Sequence, residues 1–301
     1  MDVEQQIERL LAQGETEGAL ELAGEQYPEW LTSGRLAEGR QRLQRVLEAP
    51  GAEVPTAARA TVLLGAGMLE FRQGDDDQAR VLFEEALAVA REVRDTASEA
   101  RALNNLSRVA LRGREPARVL VLAREAWGLY ERVGDSVGVA TSRHMTAAAT
   151  RMTGDYAGAA QIYAENLQDA RERGDDALIS VETLNLGYMK LHVGDVAAGV
   201  PLFEESVRVS SDAGDAYVLP YSLMGMGSLA LAQGDPERGT RLLAAAKVAF
   251  DASGFAIDPG SDEEFEQGVA DARAALGERF EATWKAGAAL SADQAVAFAL
   301  G

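Results

Sequence analysis

Cysteine is absent from the 301 residues, which excludes disulfides, thiolate nucleophiles and thiolate metal sites together. Histidine is nearly as scarce. The chain has two, His144 and His192, and neither sits in a His-Glu-x-x-His motif or among carboxylates at ligand spacing. No apolar run approaches the roughly 18 to 20 residues of a membrane helix. The opening Met1-Asp2-Val3-Glu4-Gln5-Gln6 lacks the basic and apolar regions of a secretory signal. Basic charge is in deficit: 29 Lys and Arg stand against 48 Asp and Glu, a formal net charge of −19. A chain this acidic repels phosphate backbones and anionic membrane surfaces. A Gly-rich phosphate loop ending in Gly-Lys-Ser/Thr is missing as well. These absences imply a cytoplasmic, non-enzymatic chain with no metal or other cofactor, binding neither nucleic acid nor membrane directly.

What the sequence does have is a rhythm. Gly14, Gly34, Gly74, Gly134, Gly154, Gly174, Gly194, Gly214, Gly234 and Gly254 are separated by 20 residues or a multiple of 20. Val54, Arg94 and Arg114 fill the register where glycine is missing, with Gly113 one place before the last of them. An Asp follows most of these marks, at 75, 135, 155, 175, 195, 215 and 235, and Asp95 keeps its place although the glycine is lost. Glycine admits the left-handed conformation that closes a helix. Asp accepts from the free amides of the next helix and favours its positive end. About 17 residues rich in Ala, Leu, Val, Glu and Arg lie between marks, enough for helices roughly 26 Å long. Two helices make a 40-residue unit, the period of a helical solenoid.

Stacked in register, the first helices carry a small column, Gly67, Ser107, Ala147, Gly187 and Gly227. The second helices carry another, Gly39, Ala79, Val119, Ala159, Gly199 and Gly239. Four residues later come mostly bulky side chains, Leu43, Phe83, Ala123, Tyr163, Phe203 and Leu243. Leu82, Leu122, Ile162, Leu202 and Leu242 are expected to complete the buried stripe.

These columns resemble the tetratricopeptide pattern, most clearly from Leu184-Asn185-Leu186-Gly187-Tyr188 through Gly194-Asp195 to Phe203-Glu204-Glu205-Ser206. The 40-residue unit is similar to the longer repeats of MalT-type regulators. Trp30 with Ser33-Gly34-Arg35-Leu36-Ala37-Glu38-Gly39-Arg40, and the tail from Arg241 to Leu290-Ser291, resemble the two ends of the repeat region in large actinobacterial LuxR-type regulators with a signalling ATPase core. The resemblance implies an all-α, right-handed superhelix, and association with a signalling ATPase or a transcriptional regulator.

The expected organisation is an amino-terminal helix over about residues 2–12 and six helical hairpins over about 15–253, within repeats spanning 1–254. Pro50-Gly51 and Pro55 separate the first two hairpins. A helical capping segment follows over 255–301. It has a turn at Asp258-Pro259-Gly260, a capping box at Ser261-Asp262-Glu263-Glu264 and another at Ser291-Ala292-Asp293-Gln294. Phe265, Phe280, Trp284 and Phe298 are expected to seal the end of the stack. Asp75-Asp76-Asp77 reads as a helix cap, because the glycine and distal Glu of an EF-hand loop are missing.

The resemblance implies that first helices line a concave surface. There, Arg101, Asn104, Asn105 and Arg108 share one helix face. Arg143, His144 and Arg151 follow, then Asn185, Tyr188 and His192, then Tyr221 and Met224. An Asn side chain can both donate to and accept from an extended peptide backbone. From residue 100 to 118 five arginines face one acid, Glu115, which is out of character for so acidic a chain. The expected partner is an acidic peptide or protein segment, since arginine forks suit carboxylates. The alternative is a regulatory sensor for a small molecule or signal peptide, with Tyr188, Tyr221 and Met224 as its apolar wall.

Overall fold

The computed structural model of the chain describes residues 3–254, 257 and 259–301. Among the described residues there are sixteen α-helices, one 3-10 turn and no strand. They form two compact units, residues 1–149 and 150–301. The first holds α1 (Val3–Gln13), α2 (Thr16–Thr32), α3 (Leu36–Leu47), α4 (Ala57–Gln73), α5 (Asp76–Val93), α6 (Thr96–Arg112), α7 (Pro116–Val133) and most of α8 (Ser136–Met152). The second holds α9 (Tyr156–Arg173), α10 (Asp176–His192), α11 (Val196–Asp212), α12 (Val218–Ala232), α13 (Pro236–Ser253), α14 (Pro259–Leu276), α15 (Phe280–Ala288) and α16 (Ala292–Leu300). Among the described residues no helix is long and apolar enough to cross a membrane.

The Gly-Asp mark works as one device. Gly74 has φ 87°, its N–H donates to Phe71 O at 3.1 Å, and the Asp75 N–H donates to Glu70 O at 3.0 Å. This is the double closure that ends a helix on a left-handed residue. The Asp75 carboxylate then accepts from the Gln78 N–H at 3.0 Å and opens α5. Asp95, Asp135, Asp175, Asp195, Asp215 and Asp235 repeat both bonds, so one residue closes one helix and starts the next. Where glycine is missing the conformation persists: Arg94 and Arg114 have φ 59° and 58°. An L-residue there costs roughly 1–2 kcal/mol, so the repeat register outweighs residue preference at both places. The break at position 54 has a different outcome, with the positive φ at Gly51 instead.

The columns interlock. A Cβ on Gly67 would come 2.6 Å from Phe83 Cε1, one on Gly187 2.9 Å from Phe203 Cε1, and one on Gly227 2.9 Å from Leu243 Cγ. The small column of each of these first helices is therefore the seat of the bulky column of its own second helix. Phe83, Ala123, Tyr163, Phe203 and Leu243 are all fully buried. The outer stripe departs from expectation: Leu82, Leu122, Ile162 and Leu202 are half-buried, and only Leu242 is fully enclosed. Leu82 and Leu122 lie at the margin of the core. Leu242 belongs to α13, on which the carboxy-terminal helices α14, α15 and α16 pack.

In that carboxy-terminal segment the Ser291 box forms, with its hydroxyl accepting from Gln294 N–H and Gln294 Oε1 accepting from Ser291 N–H. The box at Ser261 does not. Pro259 and Gly260 are already helical, which puts Ser261 inside the first turn of α14. Part of the expected turn, residue 258, lies outside the described residues, as does residue 2 of the expected first helix. Phe265 and Phe280 are buried and flank Trp284, at centroid distances of 6.4 and 5.6 Å.

Candidate partner-binding site

In the first unit the positive run does not survive as a patch. Arg112 is a structural staple: Nη1 donates to Phe71 O at 2.7 Å and Asp76 Oδ1 at 2.6 Å, with the guanidinium 3.6 Å above the Phe71 ring. This ties the end of α6 to the α4–α5 turn. Arg118 lies on α7, a second helix, between Glu84 at 3.8 Å and Glu115 at 3.5 Å. Arg114 serves the left-handed turn. Arg101, Asn105 and Arg108 stay half-buried on α6, and Arg101 Nη2 donates to Ser98 Oγ at 2.9 Å. Asn104 is only 4% exposed and its Oδ1 has no hydrogen-bond partner. That correction follows from helix geometry: of two adjacent asparagines only one can point off the packed face. The Tyr130 hydroxyl is pushed up to about 12 by burial and by the charge of Asp135, with Arg101 and Arg108 opposing. On α8, Arg143 stands 5.5 Å over the Trp127 ring and His144 is half-buried.

The second unit gathers more. Arg151, in the last turn of α8, and His192, in the last turn of α10, converge on one carboxylate, that of Glu264. Arg151 Nη1 lies 3.9 Å and His192 Nε2 3.4 Å from Glu264 Oε1. Helix carboxy-termini disfavour a carboxylate, so the two bases are what makes this position tenable. The His192 ring is fixed by stacking on Tyr156, with centroids 4.5 Å apart and planes 9° apart. The Tyr188 hydroxyl is raised well above the usual tyrosine range by burial, with the Glu264 charge adding and the Ser228 side chain and Arg151 opposing. Burial likewise raises Tyr163, against Arg151 and with Glu182 and Glu264.

The expected apolar wall is not a surface. Tyr188 and Tyr221 are buried and Met224 is fully so. Tyr188 packs edge-on to Phe203, Tyr221 edge-on to Phe250, and α12 is covered by α13, α14 and α16. Asn185 is half-buried, and its amide donates back to Val181 O at 2.9 Å. Sequence reasoning missed Glu264 and Tyr156. The local pattern points to a capping box for Glu264, and no periodic signal links a residue beyond the repeats to the ends of α8 and α10.

Comparison with known proteins follows the same lines. Residues 58–131 match the tetratricopeptide repeat model, and residues 150–232 match the model described as anaphase-promoting complex subunit 5. No match was found among curated proteins. A Rap protein complexed with competence and sporulation factor is similar in structure, with TM-score 0.61 and 15% identity over 95% of this chain and 94% of that one. NprR in complex with its cognate peptide NprX gives 0.63 and 15%, over 92% and 78%. A signal transduction ATPase with numerous domains from Pyrococcus horikoshii, bearing a tetratricopeptide repeat sensor, gives 0.62 and 13%, over 91% and 44%. The fold of this chain is a tetratricopeptide-type solenoid of helical hairpins.

Proposed function

We propose that the chain is a non-catalytic binding scaffold that holds an acidic peptide or protein segment against the polar face of its first helices. The observation that carries this reading is the convergence of Arg151 and His192, from two different first helices, on a single carboxylate. Within the first unit Arg101 and Arg108 on α6 offer the same chemistry, and Asn105 stands between them in sequence as a neutral donor and acceptor. A regulatory role, with the acidic segment acting as a signal, is supported by the likeness in fold to Rap and NprR, both solved with bound peptides or factors. Association with a signalling ATPase is supported in the same way by the Pyrococcus structure.

The test is calorimetric titration of the full chain with a short oligoglutamate and with an oligolysine of equal length. With a net charge of −19 the overall field favours the basic peptide. Saturable oligoglutamate binding weakened by Arg151→Glu would therefore mark a local site. Binding of oligolysine alone would contradict the reading.

A further inference from the structure

Glu264 belongs to the chain itself. We infer that α14 is an internal competitor, in which Glu264 holds the Arg151–His192 subsite in place of a partner's carboxylate and must be displaced before the partner docks. The inference rests on the proposed function, since it takes Arg151 and His192 as partner-binding groups.

Geometry shows the internal pairing to be a loose one. The contacts of 3.9 and 3.4 Å are longer than direct charge-assisted hydrogen bonds, about 2.7–2.9 Å. Glu264 Oε2 is buried with no hydrogen-bond partner, so the docked carboxylate is only half satisfied. Water on both oxygens would serve Glu264 better. The helix is held by other means: Phe265 packs by Trp284, and the Gly268 backbone runs close to Leu243 and Leu231. Apolar packing thus carries the carboxylate into a place it would not choose. An incoming carboxylate free to approach the Arg151 fork side-on would bind it at two points, whereas Glu264 reaches Nη1 through Oε1 and leaves Oε2 unbonded. Arg151, His192 and Glu264 keep 21%, 32% and 25% of their side-chain surface exposed, so the subsite is open to water and to exchange.

Fluorescence anisotropy with labelled oligoglutamate and the full chain tests this. Glu264→Gln should bind on the order of tenfold more tightly than wild type, since the fraction of open subsite rises. Glu266→Gln makes the same change of charge on the exposed side of α14 and should match wild type. Adding Arg151→Gln to Glu264→Gln should abolish the gain. If Glu264→Gln binds no better than Glu266→Gln, the competitor is overturned and the acidic-partner reading stands. If no variant binds oligoglutamate, both fall.

Discussion

Gly187 and Gly225 hold the Phe203 ring between them: a Cβ on the first would lie 2.9 Å from Cε1, and one on the second 2.6 Å from Cδ1. Phe203 is fully buried and braced edge-on by Tyr188, so it cannot retreat. Gly187→Ala should cost about 1–3 kcal/mol through overpacking. Gly128, inside α7, has nothing within 4 Å of its missing Cβ. There the same substitution should stabilise by about 0.8–1 kcal/mol, the helix-propensity difference. Urea midpoints moving in opposite directions would confirm the register, and equal shifts would refute it.

The two non-glycine turns offer a second check. Arg94 is exposed and held at φ 59°. Arg94→Gly relieves a strain of roughly 1–2 kcal/mol, offset by about 0.4–1 kcal/mol of extra unfolded-chain entropy. A small rise in thermal midpoint is expected, and a fall would mean that the arginine makes a compensating contact.

One hairpin junction is polar where its counterpart is apolar. Asn166 Nδ2 donates to Glu182 Oε1 at 3.1 Å, both residues fully buried. Two repeats earlier the same positions are Ala86 and Ala102, in one apolar cluster. Asn166→Ala alone should cost about 1–3 kcal/mol, by leaving carboxylate capacity unmet. Asn166→Ala with Glu182→Ala should cost less than the sum of the single changes, as a double-mutant cycle would show.

Alkaline stability follows from the buried tyrosines. Tyr130 is raised from 10.0 to about 12, and burial raises Tyr163 and Tyr188 as well. A folded-state value above the unfolded one means that the folded chain keeps the proton longer. This stability is complete below about pH 10 and is lost as pH rises through the folded values. Denaturation midpoints should fall between about pH 10 and pH 12, less steeply in Tyr130→Phe.

Most of the fold was legible because a local device repeats. Gly-Asp marks, small columns and bulky columns each report one short-range contact, and the 20-residue register multiplies the signal. The site was less legible. The five arginines counted over residues 100–118 include Arg112 and Arg118, which Asp76, Phe71, Glu84 and Glu115 occupy. Met224 and Tyr221 looked available because nothing in their own repeat reveals that α14 and α16 cover α12. Glu264 was invisible for the same reason: its contacts come from tertiary packing outside the period.

A carboxylate-binding face on the first helices is best probed by titrating oligoglutamate into wild type and Arg108→Glu at low and physiological ionic strength. Arg108 is half-buried on α6 in the first unit, whereas the Glu264 contact belongs to the second. The charge reversal should weaken binding most at low salt, because attraction beyond about 8 Å is screened under physiological conditions. Equal affinity of both proteins at both salt concentrations, with binding lost instead on charge reversal at Arg118 on α7, would place the binding face on the second helices.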